Sequence, residues 1–146
     1  MQTFLPYPDY DESARCLDAR RLGKQRVEAL QILRVRAALT RDPEARVGWR
    51  HHPAVRMWAG YEWQLACYAL AVCREWRGRG FADGCAEAVR ALTRAFDGRW
   101  PNRRHPWLGD PALHASHRSN LLRKAPHHYG ACGWTEAPDL PYVWPV

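Results

Sequence analysis

Apolar side chains recur at helical spacing over most of the chain, interrupted by loops marked with proline and glycine. Asp11 and Asp18 are candidate N-caps. From Asp18 the run ARRLGKQRVEALQILRVRAAL predicts a helix to about Thr40. Leu22, Arg26, Leu30, Leu33 and Ala37 share one stripe of it, and only Arg26 is not apolar. A cation on an inward stripe either pairs with a buried carboxylate or points into a cleft. Arg21, Gln25 and Glu28 form an adjoining polar row, and Gly23 marks irregular first turns or a close backbone approach.

After the loop RDPEARVGWRHHP, Pro53 suits the first turn of a helix. The spacing of Val55, Trp58, Leu65, Tyr68, Ala69, Val72 and Trp76 predicts one long central helix from Ala54 to about Arg77. GRGFADG breaks the chain, and a short amphipathic helix follows over Cys85–Phe96. Beyond the Pro/Trp-rich loop GRWPNRRHPWLGDP, Asp110 as N-cap and Pro111 open a helix to about Lys124. The tail is irregular and rich in proline and aromatics, and no strand pattern is evident. The expectation is an all-α, compact single-domain helical bundle over residues 1–146, with an aromatic, Pro-rich C-terminal tail.

Composition narrows the setting. With 47% hydrophobic and 25% charged residues the balance is globular, and no stretch approaches the roughly 18 uncharged apolar residues of a membrane span. MQTFLPYPDYDESAR lacks a basic segment followed by an apolar run, so a cytoplasmic protein without a signal peptide is expected. The five cysteines have no CxxC pair, which predicts reduced, mostly buried thiols and no zinc finger or ribbon.

The net charge is +7. Only Lys24 and Lys124 are lysines, an arginine bias that GC-rich codon usage would produce, but codon usage does not choose Arg over Glu. Residues 13–56 carry +7 and residues 99–124 carry +5, around a neutral 57–98. Two basic segments flanking a neutral core suit an anionic polymer, nucleic acid first.

Four groupings carry candidate chemistry. In RRLGKQRVE, Arg26 and Glu28 offer a charge-stabilising group and a general acid/base, or else a basic helix face with a local salt bridge. His52, between Arg50 and Arg56, either meets a phosphate or caps the following helix. In LHASHRSNLLRK, His114, His117, Arg118 and Lys124 contact phosphates or base edges, or the histidines are satisfied core residues. The His114–His117 pair has no carboxylate beside it on its helix, so no metal is expected, and no cofactor. In the tail, Tyr129, Trp134, Tyr142 and Trp144 either stack on bases or clamp the fold.

The set LGKQRVEAL, HPAVRMWAGYEWQLACYALAVCREWRGRGF and LHASHRSNLLRKAPHHYG resembles the pyrimidine-dimer DNA glycosylase/endonuclease V family, specifically its divergent bacterial branch. The resemblance implies a compact all-α domain that binds and kinks damaged duplex DNA as a monomer, associated with the nucleoid when bound. It implies attack by the N-terminal α-amine on C1′ of the damaged nucleoside, a Schiff base, and a helix glutamate assisting glycosidic cleavage and β-elimination. An α-amine, with an ordinary pKa of about 7.7–8.0, keeps a useful neutral fraction at neutral pH. Here Arg26 matches the arginine of the family's Arg-Glu pair, Val27 follows it, and Glu28 lies one residue further and roughly 100° around the helix. The family's enzymes carry threonine directly after the initiator, whereas Gln2 precedes Thr3 here, so the amine falls to Met1. The resulting expectation is a repair glycosylase with AP-lyase activity. Met1, Arg26 and Glu28 are its catalytic set, and Arg21, Lys24, Gln25, His52, His114, His117, Arg118, Lys124 and Tyr129 contact DNA. The alternatives are a non-catalytic nucleic-acid-binding domain and an enzyme on a small phosphorylated or nucleotide ligand.

Overall fold

A computed structural model describes all of residues 1–146. Its regular elements are all helical: α1 (Tyr10–Cys16), α2 (Ala19–Arg41), α3 (Pro53–Arg56), α4 (Glu62–Gly78), α5 (Cys85–Ala95), α6 (Pro111–Lys124) and α7 (Pro126–Tyr129), then a 3-10 turn at Gly130–Cys132. No helix is long and apolar enough to cross a membrane.

Helix α4 is the centre of the fold, packed on α1, α2 and α5. Its Leu65, Ala66, Tyr68, Ala69 and Val72 join Leu22, Ala29, Ile32, Leu33 and Ala37 of α2 in one buried core. Both helices lack internal proline and repeat apolar residues every three or four positions, so each presents one continuous face to the other.

Two expected features differ. The central helix predicted over Ala54–Arg77 is broken into α3 and α4 by a turn at Met57–Gly60. Gly60 has φ +81°, its N–H donates to Glu62 Oε1 at 3.1 Å, and its carbonyl accepts from Arg103 Nε at 3.0 Å. A left-handed residue stops the helical ladder, which apolar spacing alone does not register. The cap of α1 is Asp9 rather than Asp11, accepting from the Glu12 N–H at 2.7 Å. The thiols are all free as expected but less buried: only Cys73 is inaccessible, and Cys132 is exposed.

Arg26 takes the first of its two expected roles. Its Nη1 lies 2.5 Å from Asp83, whose side chain is fully buried, and its guanidinium lies 4.6 Å over the Trp76 ring. Trp76 is in turn stacked on Phe81 at 4.1 Å and donates from Nε1 to the Ala82 carbonyl at 3.0 Å. The other face of this assembly is α2 itself. A Cβ at Gly23 would stand 2.9 Å from the Trp76 ring, so the glycine is the close approach its position suggested. Gly23→Ala is expected to lower stability by about 1 kcal/mol, the overpacking strain exceeding the helix-propensity gain. Thermal unfolding tests this as a fall of about 3 °C.

Candidate active site

The first six residues form an extended segment that runs through the protein without a strand partner. Gln2 to Leu5 are buried, so their backbone groups need hydrogen bonds from elsewhere. Side chains provide them. The Phe4 N–H donates to Gln25 Oε1 at 2.9 Å, and Gln25 Nε2 donates to the Gln2 carbonyl at 2.9 Å. Tyr68 donates its hydroxyl to the Phe4 carbonyl at 3.0 Å, and Trp58 Nε1 donates to Thr3 Oγ1 at 3.1 Å. The Leu5 N–H donates to His117 Nδ1 at 2.8 Å, the Leu5 carbonyl meets His114 Nδ1 at 2.7 Å, and the Pro6 carbonyl accepts from Arg118 Nη1 at 2.8 Å.

This arrangement assigns the imidazoles. His117 accepts at Nδ1, so its proton is on Nε2. His114 accepts the Gly109 N–H at Nε2, so it donates from Nδ1 to Leu5. Burial pushes His117 down to about 3, and it also lowers His114, so both rings are neutral at physiological pH. His114, His117 and Tyr129, expected among the DNA contacts, are instead buried in the fold. Tyr129 donates its hydroxyl to Asp18 and accepts from the Asp18 N–H at 3.1 Å. Arg118 is committed to Glu136 at 2.6 Å as well as to Pro6.

The segment delivers Met1 and Gln2 to a cavity of about 360 Å³, which they line with Phe4, Arg20, Arg21, Lys24, Gln25, Glu28, Lys124 and Tyr142. Glu28 Oε2 accepts from Gln25 Nε2 at 3.1 Å and from the Gln2 N–H at 3.4 Å. Lys24 stands 3.7 Å from Glu28 Oε1 with its side chain largely in solvent. The polar row Arg21, Gln25, Glu28 therefore forms one wall, as the helical period predicts. Arg21 is held at the rim by Asp18 at 3.2 Å and by the Lys124 carbonyl at 3.4 Å. Four side-chain cations surround one carboxylate, an environment suited to an anionic ligand.

Not every predicted residue is here. Arg26 is turned to Asp83 and does not line the cavity; Val27, its neighbour, is 42% exposed. Conversely Gln2, Phe4 and Arg20 line it without having been expected among the site residues, and so does Tyr142, expected only as one of the tail aromatics that stack on bases or clamp the fold. Arg20 had a sequence signal, since Arg20, Lys24 and Glu28 are successive steps of four on one helix. Tyr142 had none beyond its place in an aromatic tail. The tail is laid along α6 by Ser116, whose Oγ accepts the Val143 N–H at 3.1 Å, and by Asn120, which donates to the Leu140 carbonyl at 3.1 Å.

His52 caps α3, its Nδ1 accepting the Ala54 N–H at 3.0 Å, and lines a second cavity. Burial and then the positive N-terminal amine hold it below the usual imidazole range, while Glu28 acts the other way. His52, Met1 and Glu28 thus share one electrostatic neighbourhood.

The sequence model of a family described as pyrimidine dimer DNA glycosylase matches residues 1–89. That span holds eight of the ten residues lining the first cavity, all but Lys124 and Tyr142. No curated protein and no solved structure matches the chain.

Proposed function

The chain belongs to the pyrimidine dimer DNA glycosylase family, and on that premise we propose that it is a repair glycosylase with AP-lyase activity, acting on damaged or modified bases in duplex DNA. The observation that carries this reading is the placement of Met1 and Glu28 in one cationic cavity by a side-chain-tethered N-terminal segment. A nucleophile held by rigid scaffold residues needs little reorganisation to reach its target.

In the proposed reaction the neutral Met1 α-amine attacks C1′, and the glycosidic bond breaks with its electron pair leaving on the base. The attacking nitrogen gives up a proton, the sugar ring opens with protonation of its oxygen, and an imine forms. Loss of a C2′ proton then expels the 3′-phosphate by β-elimination. Glu28 sits where it can move these protons, 3.4 Å from the Gln2 N–H and thus beside the amine-bearing residue. Arg20, Arg21, Lys24 and Lys124 hold the phosphates that flank the sugar. Arg26 has no part in this chemistry; its role is in the scaffold.

Borohydride reduction in the presence of abasic-site duplex is expected to trap a covalent adduct, and peptide mass spectrometry to locate it on the Met1 amine. An adduct on a lysine would remove Met1 from the mechanism. Salt-sensitive DNA binding with neither adduct, strand cleavage nor base release from lesion duplexes would leave a non-catalytic DNA-binding domain.

A further inference from the structure

Trp49 is the one residue other than glycine with a left-handed backbone, at φ +67°. A bulky side chain is disfavoured there, and glycine is the residue that adopts it freely. Gly48 stands immediately before it with open space around it, yet the left-handed conformation falls on the tryptophan. The indole is also 61% exposed, the most exposed large hydrophobic side chain of the chain. Two costs are therefore borne at one position, and within the protein they are set only against an edge-to-face contact with His52 and the His52 N–H donated to the Trp49 carbonyl at 2.9 Å. Backbone outliers of this kind concentrate where a ligand is met.

The surroundings indicate the ligand's charge. The cavity of about 640 Å³ beside Trp49 is lined by Arg46, Val47, Arg50, His51 and His52, and a neighbouring one of about 290 Å³ adds Arg56 together with Arg36, which is itself paired with the buried Glu62 at 2.8 Å. Neither has a carboxylate in its wall; Asp42 and Glu44 lie on the same loop but line neither. The loop is not slack, because Arg50 spans it, donating to the Ala45 carbonyl at 2.7 Å and to the Pro43 carbonyl at 3.0 Å. His52 links this surface to the tail: its ring contacts Trp49 at 5.7 Å and Trp144 at 6.0 Å, edge to face in both cases. Trp144 in turn lies 5.5 Å from Tyr142, which lines the active-site cavity.

We propose that Trp49 is a stacking platform for an unpaired nucleobase of the bound DNA, with the arginines around it holding that nucleotide's phosphates. A planar π-face suits any base, and the cations track the backbone beside it. The inference rests on the glycosylase reading, because removing a base from the duplex leaves a nucleotide unpaired next to the site.

The test uses a duplex carrying a stable abasic-site analogue opposite 2-aminopurine. The unmodified protein is expected to bind it with quenching of the aminopurine fluorescence. Trp49→Ala is expected to lose roughly 5- to 150-fold in affinity and to lose the quenching, and Trp49→Phe to keep most of both. Trp49→Gly should bind as poorly as Trp49→Ala while melting at a higher temperature than the unmodified protein, since glycine relieves the left-handed strain. The melt also shows that weak binding is not misfolding. Affinity and quenching unchanged in Trp49→Ala would overturn the platform and leave the glycosylase reading intact. Failure of the unmodified protein itself to bind damaged duplex would sink both.

Discussion

Glu28→Gln is expected to reduce strand cleavage and base release by about 10²- to 10⁴-fold, the range associated with losing a positioned proton-transfer group. The variant should fold and bind DNA as the unmodified protein does, for a structural reason. Glu28 Oε2 is an acceptor for Gln25 Nε2 and the Gln2 N–H, and a glutamine carbonyl oxygen can accept from the same two donors. The tether on the N-terminal segment therefore survives while the proton acceptor is lost. The Lys24 pair contributes little to the comparison, since the lysine is 72% exposed. Single-turnover cleavage of abasic duplex, measured beside equilibrium binding, separates the two effects. Cleavage within tenfold of the unmodified protein would take Glu28 out of the mechanism.

The second large effect is on stability. Asp83→Ala is expected to cost about 3–5 kcal/mol, because it strands the Arg26 guanidinium against a nearly dry interface. The same carboxylate accepts the Cys85 N–H at 3.1 Å and the Ala86 N–H at 3.0 Å, so the first turn of α5 loses its acceptors as well. Burial alone would raise the Asp83 carboxyl, but those N–H groups and Arg26 hold it below the usual carboxylate range. A depressed folded pKa means that its stabilisation is present above the unfolded carboxylate value of about 3.9 and is lost as pH falls through the folded one. Thermal unfolding at neutral pH should show a drop of roughly 10 °C or more for Asp83→Ala. The gap between variant and unmodified protein should close in acid. A drop of only a degree or two would mean that Arg26 finds water or another partner and that the α2–α5 junction does not depend on the pair.

These two residues mark how far the sequence can be read. Arg26 and Glu28 are two positions apart and both were plausible catalytic groups on residue type. Helical geometry separates them: Glu28 belongs to the row with Arg21 and Gln25, which faces the cavity, and Arg26 to the stripe that faces α4 and α5. The polar row was legible because a period of 3.6 places its members on one face whatever lies opposite. The destination of Arg26 was not, because Asp83 is 57 residues away and nothing local to either residue announces the pair.

The histidines of α6 carry the same lesson in a sharper form. A histidine facing a phosphate and a histidine satisfying a buried amide have the same local sequence. His117 is bonded to Leu5 across 112 positions, and only the passage of the N-terminal segment beneath α6 decides between the roles. Their contribution to the site is indirect and still necessary: with Gln25, Tyr68 and Arg118 they replace the missing strand partner of residues 2–6, and so set where Met1 stands.

By itself the sequence determined the all-α class, the positions of α2, α5 and α6, the basic character of the site and the Arg21–Gln25–Glu28 wall. Each of these follows from interactions within about four residues or from summed charge. The break at Gly60, the burial of His114, His117 and Tyr129, the arrival of Tyr142 at the cavity and the exposure of Trp49 were decided only by tertiary structure. In each case the deciding partner, or the absence of one, is set by packing among distant segments. Local spacing carries no record of it.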